Sequence, residues 1–281
     1  MNAQTDKLAI LRYAIMIFLT LIFIYPLLWL VASTFKPDQL QIFGDMRSIR
    51  AILPPAPHDG YFDNYLIAFE AVPLMKYIIN SLFYSTLIVF FGLIINSMAG
   101  YAFAKLEFWL KDFIFILLLA TIIVPVETIY LPLYLLIHRL GWINSYVGLI
   151  VPFVAAPLYI FLFRQFFFGI PKEVEEAARI DGASTLRAFF QIVIPLAKPV
   201  MATVAILQFT YHWTEYLWPS MLITDNGMRT IQIGINYFFN LPNVPWGPVL
   251  AAILIATMPM VIIFASFQKY YVQGLATTGM K

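Results

Sequence analysis

Two carboxylates stand where a carboxylate is expensive. Glu127 lies inside an otherwise uncharged run from Phe113 to Ile137, and Glu215 inside another from Val200 to Met221. An ionisable side chain in an apolar run of membrane length is costly and by default faces a cavity or a partner. Near them in sequence, Tyr130, Tyr134, Tyr211, Trp213, Tyr216 and Trp218 add aromatic faces with hydrogen-bonding tips. That combination suits a solute with apolar C–H faces and hydroxyl rims, such as a sugar. The same residues also fit the aromatic belts that form at membrane interfaces. Other chemistry is poorly served. There is no cysteine for a nucleophile or thiolate site, and His58, His138 and His212 lie far apart without the spacing of metal ligands. No GxxxxGK[ST] loop is present, so the chain shows no nucleotide site.

The elements that must position these residues are membrane helices. The chain is 62% hydrophobic and 11% charged, against roughly 45–50% and about 25% for a soluble domain. A net charge of +2 with scattered basic residues provides no stripe for a nucleic-acid backbone. A hydrocarbon core about 30 Å thick needs roughly 20 apolar residues at 1.5 Å each. Six blocks meet that test, at about 13–35, 77–104, 113–137, 142–163, 200–221 and 249–267. The first is too long for a signal-peptide core and lacks a cleavage pattern, so it is expected to remain as a helix.

Lys and Arg favour cytoplasmic loops. One face would carry Lys7, Arg12, Lys105, Lys111, Arg164, Lys172, Arg179, Arg187, Lys198, Lys269 and Lys281, and the other Lys36, Arg47, Arg50, Lys76, Arg139 and Arg229. This asymmetry predicts cytoplasmic termini. It also puts Glu127 and Glu215 roughly 21 to 24 Å along outward-running helices, in the outer half. The outer segment from Lys36 to Lys76 reads as an irregular, partly ordered loop. Prolines in and near the spans remove backbone donors. They fit ordinary kinks, or, at Pro125 and Pro132, a bend of the third span around a solute path.

Between the fourth and fifth spans lies PKEVEEAARIDGASTLRAFFQIVIPLAKP, residues 171–199. Pro171 suits a first helical position, and Glu173, Glu175 and Glu176 complement the positive end of a helix dipole. Val174, Ala177 and Ala178 form a narrow face of small side chains. Asp181-Gly182 breaks this helix, with Gly182 left-handed, and Ser184 caps the next. Leu186, Phe189, Phe190 and Val193 give that second helix an apolar face, and Pro195 is expected to end it. Two short amphipathic helices of this kind can dock on a soluble partner or lie on lipid headgroups.

The spacing itself is informative: Glu176-Ala177-Ala178, three residues, Gly182, nine residues, Ile192, one residue, Ile194 and Pro195. It resembles the EAA motif of permease subunits in ATP-binding-cassette (ABC) importers, with Ile194 in place of a usual leucine. Further stretches resemble the maltose-type carbohydrate permeases, specifically the shorter subunit of each pair. These are Asn80-Ser81, the run Ala99–Lys105, Leu131-Pro132-Leu133-Tyr134, and the tail from Gln268 through Gly279. The resemblance implies an all-α polytopic fold of six spans, the type I importer permease, with residues 171–199 as a cytoplasmic coupling loop. Glu175, Glu176, Ala177, Ala178, Asp181, Gly182, Leu186, Phe189, Phe190, Ile192 and Pro195 would then serve ATPase coupling. Asn80 joins the two carboxylates and six aromatics named above as pathway candidates. Where relatives often have Trp-Asn, this chain has Trp213-Thr214-Glu215.

The implied partners are a homologous permease subunit, two ATPase subunits that bind ATP and Mg, and an extracytoplasmic solute-binding protein. The chain itself would hold no cofactor and catalyse nothing, as an inner-membrane protein of a bacterium or archaeon. Its solute would be a carbohydrate, or a related polyol, glycoside or glycerol phosphate. An ion-coupled secondary transporter is the rival from another class, expected to show midplane carboxylates and an internal repeat. A scaffold that merely displays the cytoplasmic hairpin is the other.

Overall fold

The computed structural model describes the backbone of residues 3–278 and the side chains of residues 9–266. The side chains of Lys7 and of the tail motif from Gln268, together with Gly279 and Lys281, lie outside the described residues. Every regular element among those residues is helical. The chain divides into one unit of Met1–Met75 with Gly234–Met258 and a second of Lys76–Ile233 with Pro259–Lys281.

The first unit opens with α1 (Ala3–Ser33), which continues through Pro26. From Ala9 to Leu28 the helix is exposed along its length, as expected of a surface whose solvent is lipid or a neighbouring subunit, and only its end is covered, with Trp29 and Leu30 half-buried and Ala32 and Ser33 buried. The segment from Lys36 to Lys76 is more ordered than its prolines suggest. It forms α2 (Gln39–Gly44), two 3₁₀ turns and α3 (Asp63–Ala71). Lys36, buried, donates to the Arg50 carbonyl at 3.1 Å and pairs with Asp45 at 3.1 Å. Asn64 reaches back to the carbonyls of Thr34 and Lys36 at 2.9 and 2.8 Å. Buried polar groups with such partners fix a loop that composition alone leaves open.

The second unit is built on α4 (Leu74–Lys105), an unbroken helix. The next apolar run does not form one straight span. It divides into α5 (Lys111–Ala120), a 3₁₀ turn at Thr121–Ile123 and α6 (Glu127–Arg139), bent by 104°. The break is at Pro125, because the residue before a proline is pushed out of the helical region, and Val124 is extended at φ −77°, ψ 119°. Pro132, by contrast, lies inside α6 without ending it. The assumption of one straight third helix behind the depth assigned to Glu127 therefore fails.

The following run divides likewise, into α7 (Tyr146–Ile150) with a 3₁₀ turn and α8 (Pro157–Phe168), bent by 44°. Then come α9 (Lys172–Ile180), α10 (Thr185–Ala188), a π turn at Phe189–Val193 and α11 (Ile194–Leu196). Pro195 does not stop this helix: the turn widens just before it, where a proline ring would otherwise meet the carbonyl four residues back. The chain turns at Ala197 instead, 79° into α12 (Lys198–Thr214). The run expected at 200–221 is interrupted at Glu215 and resumes as α13 (Leu217–Leu222). Last come α14 (Ile231–Phe239) and α15 (Trp246–Thr278). Among the described residues, Ala9–Ser33, Leu74–Lys105 and Trp246–Ser266 are single helices long and apolar enough to cross a membrane, and three bent pairs pass the same test as pairs.

Candidate coupling surface and solute cleft

The short helix α9 ends as its sequence requires. Gly182 has φ +79°, its N–H reaches the Arg179 carbonyl at 3.0 Å, and Ala183 N–H reaches that of Ala178 at 2.9 Å. This is the paired bonding of a left-handed helix terminus, which a side chain at Gly182 would strain. The Ser184 hydroxyl accepts from Arg187 N–H at 3.3 Å and starts α10.

The two helices are divided by face. On α9, Glu176, Ala177, Arg179 and Ile180 are exposed, as is Asp181 just after it, whereas Glu175 and Ala178 are buried. On the second helix, Leu186 and Phe190 are exposed at 60% and 51%, but Phe189 is 2% exposed and Val193 fully buried. Phe189 and Val193 join Tyr101, Tyr159, Phe163 and Phe167 in the core around α4, α8 and α12. The apolar face read from the sequence is thus split between the chain's own core and an open surface. Ile192 is half-buried and Pro195 exposed. Ile180, 87% exposed, escapes a reading by periodicity because no large apolar residue stands three or four positions from it.

Glu175 faces inward. Its Oε2 accepts from the Tyr101 hydroxyl at 2.7 Å, and its Oε1 lies 3.3 Å from the Lys105 ammonium. Lys105 also donates to the Ile170 carbonyl at 2.6 Å. A buried pair so bonded is costly to break from one side, at about 3–5 kcal/mol.

The candidate pathway residues separate more sharply. A cleft of about 830 Å³ is lined by Thr121–Ile122, Val124–Glu127, Pro152–Phe153 and Ala155–Tyr159, with Tyr211 and His212. Both proline breaks therefore open on the same space. Irregular backbone at membrane depth is tolerated where it is buried in protein or borders a cavity. The fourth-span break is held by Asn96 of α4, fully buried, whose Nδ2 donates to the Val154 carbonyl at 2.9 Å and whose Oδ1 accepts from Ala156 N–H at 2.9 Å. Nothing in the sequence around Asn96 marks it, because its partners lie about sixty residues away.

Of the nine pathway candidates, Glu127 and Tyr211 line the cleft. Tyr130, Trp213 and Trp218 are core residues at 3%, 2% and 0% exposure. Trp218 packs on Tyr130 and Phe153 with ring centres 5.5 and 5.6 Å apart, and Trp213 stacks on Phe209 at 5.6 Å. Tyr134 is half-buried against the same core as Trp218, and Tyr216 is exposed beside the helix break. Glu215 accepts from Trp218 N–H at 3.0 Å, capping α13. Asn80 binds the carbonyls of Gly227 and Arg229 at 3.0 and 2.9 Å and accepts from the Tyr146 hydroxyl at 3.2 Å, so its amide is engaged in holding a loop.

Comparison with known proteins agrees with this architecture. Residues 88–277 match the family model described as binding-protein-dependent transport system inner membrane component. The arabinooligosaccharides transport system permease protein AraQ of Halalkalibacterium halodurans is 35% identical, over 94% of this chain and 93% of its own length. The sn-glycerol-3-phosphate transport system permease protein UgpE of Brucella abortus is 34% identical over 84% of this chain and 88% of its own. The trehalose/maltose transport system permease protein MalG of Thermococcus litoralis is 30% identical over 94% of each. In structure, a chain of a bacterial ABC transporter that imports the acidic polysaccharide alginate superposes with a TM-score of 0.82 at 22% identity, covering 96% of this chain and 99% of that one. That likeness shows a shared fold. With the family model spanning both residues 171–199 and the cleft, the chain belongs to the inner-membrane components of binding-protein-dependent transport systems, the permeases of ABC importers.

Proposed function

We propose that this chain is the non-catalytic permease subunit through which a carbohydrate, or a related polyol or glycerol phosphate, crosses the inner membrane. Relatives named for arabino-oligosaccharides, trehalose/maltose and glycerol 3-phosphate support that solute class. The cleft supports it too, since apolar walls with Glu127 and the Tyr211 hydroxyl can meet both the C–H faces and the hydroxyls of such a solute. The partners are a homologous permease subunit, two ATPase subunits holding ATP and Mg, and an extracytoplasmic binding protein. The distribution of Lys and Arg favours cytoplasmic termini.

The observation that carries the reading is the division of α9, with Glu175 and Ala178 turned into the protein and Glu176, Ala177 and Ile180 left open. A soluble ATPase subunit fits on that open face. Its closure on ATP would move α9 as a rigid piece, and the spans would shift between inward-open and outward-open states. The test is to purify the complex through a tag on this chain, with the parent and with Glu176→Lys and Gly182→Val. ATPase subunits should accompany the parent and be lost from both variants. An unchanged complex and unchanged uptake in both would refute the reading. Uptake that depends on a proton or sodium gradient in the absence of any ATPase would support a secondary transporter instead.

A further inference from the structure

Resting on that reading, the geometry points to Glu175 as the joint that carries motion of the coupling helix into the cleft wall. Three links of one path are on hand. Glu175 binds Tyr101 at 2.7 Å and Lys105 at 3.3 Å, both near the end of α4, with Glu175 and Lys105 only 8% and 7% exposed. Lys105 also binds the Ile170 carbonyl, just before α9, at 2.6 Å. The carboxylate and the entry to the helix are thus fastened to the same ammonium.

The second link is α4 itself, an unbroken helix over Leu74–Lys105. Lys105 and Asn96 are nine residues apart on it, about 14 Å of helix that transmits displacement without a hinge. The third link is Asn96, whose amide grips the Val154 carbonyl and the Ala156 N–H, both at 2.9 Å. Ala155, between those two residues, lines the cleft. A push on the open face of α9 therefore reaches the cleft wall through side-chain bonds at each end of one rigid helix. Apolar packing of Phe189 and Tyr101, with ring centres 5.0 Å apart, runs beside this path, but packed rings can slide. A buried carboxylate held by one hydrogen bond and one ion pair has little freedom to shift. Glu175 is a positioning residue in this scheme, and the ATPase would meet exposed Glu176 beside it.

Such a path needs proof that both ends respond together. The chain has no cysteine, so Ala155→Cys gives a single reporter whose modification by N-ethylmaleimide can be followed on this chain within the purified complex. Its labelling rate is measured with and without a non-hydrolysable ATP analogue, alone and combined with Glu175→Gln, Tyr101→Phe or, as a control, exposed Glu173→Gln. The nucleotide-dependent change in labelling should be lost in Glu175→Gln, weakened in Tyr101→Phe and retained in Glu173→Gln, with ATPase subunits present in every complex. If ATPase is present and the nucleotide response survives in both Glu175→Gln and Tyr101→Phe, the inference is overturned while the importer reading stands. If the parent complex contains no ATPase, the importer reading falls and takes the inference with it. Should Glu175→Gln fail to accumulate, Tyr101→Phe decides alone, since it removes one hydroxyl and leaves the ring packing in place.

Discussion

Asn96 holds Ala156 by its backbone: the side-chain oxygen accepts the Ala156 N–H at 2.9 Å, one residue before Pro157 opens α8. Proline disfavours helix in the residue before it, and Ala156 is extended at φ −131°, ψ 126°. The freed backbone groups need partners away from water, and one buried amide satisfies two of them. Replacement by Leu keeps similar bulk and removes both bonds. Asn96→Leu should cost about 1–3 kcal/mol for each group left unpaired, read as a lower thermal unfolding midpoint of the detergent-solubilised chain. An unchanged midpoint would show that the break is held by something else.

Glu127 and Glu215 look equivalent in the sequence and are not equivalent in space. Glu127 lines the cleft, and Glu215 accepts from Trp218 N–H to cap a helix. Glu127→Gln should change the solute concentration for half-maximal uptake. Glu215→Gln can still accept that bond through its amide oxygen and should leave half-saturation near the parent's, whereas Glu215→Ala should lose roughly 1 kcal/mol of stability as other cap deletions do. Uptake titrations of the three variants with arabino-oligosaccharides, maltose and glycerol 3-phosphate check this, and equal shifts for Glu127→Gln and Glu215→Gln would contradict it.

Gly100 lets α4 and α8 meet closely. A Cβ built there would stand 2.5 Å from the Phe163 Cβ and 3.0 Å from the Arg164 backbone nitrogen, so neither neighbour can swing aside. Gly100→Ala should destabilise by about 1–3 kcal/mol, the usual cost of overpacking, and Gly100→Val by more. Membrane expression and thermal unfolding measure both. By contrast, a Cβ at Gly92 would meet the end of the Gln208 side chain, and Gly92→Ala should be milder.

Those contrasts show where the sequence is legible. Local rules placed α9, the left-handed Gly182 and the Ser184 cap, because each depends on residues within one turn. Apolar length marked the membrane runs. It was blind to the breaks within them, since Val124 and Ala156 are as apolar as their neighbours and only the prolines that follow show a fault. Nor could it separate Pro125, which ends a helix, from Pro132, which does not. The direction of Glu175 was hidden for another reason: its partners Tyr101 and Lys105 lie some seventy residues earlier on another helix. Adjacent Glu176 has the same chemistry and, about a quarter-turn round the helix, is exposed. The aromatics around Glu215 suggested a solute path, and tertiary packing claimed Trp213 and Trp218 for the core.

The open face of α9 and the helix after it gives the last prediction. Ile180, Leu186 and Phe190 are exposed at 87%, 60% and 51%, while Phe189 beside them is buried. Apolar side chains this exposed beside polar Glu176, Arg179 and Asp181 are best explained by a surface that another subunit covers. Ile180→Glu should therefore leave the folding of this chain unchanged and abolish recovery of ATPase subunits with it, since it puts a charge into an apolar contact. Phe189→Ala should do the reverse, losing about 3–5 kcal/mol of the chain's own stability before any effect on docking. Thermal unfolding of the isolated chain, set beside the amount of ATPase that co-purifies, separates the two. A chain destabilised by Ile180→Glu, or a fully occupied complex in that variant, would mean that this face lies on lipid headgroups rather than on a protein.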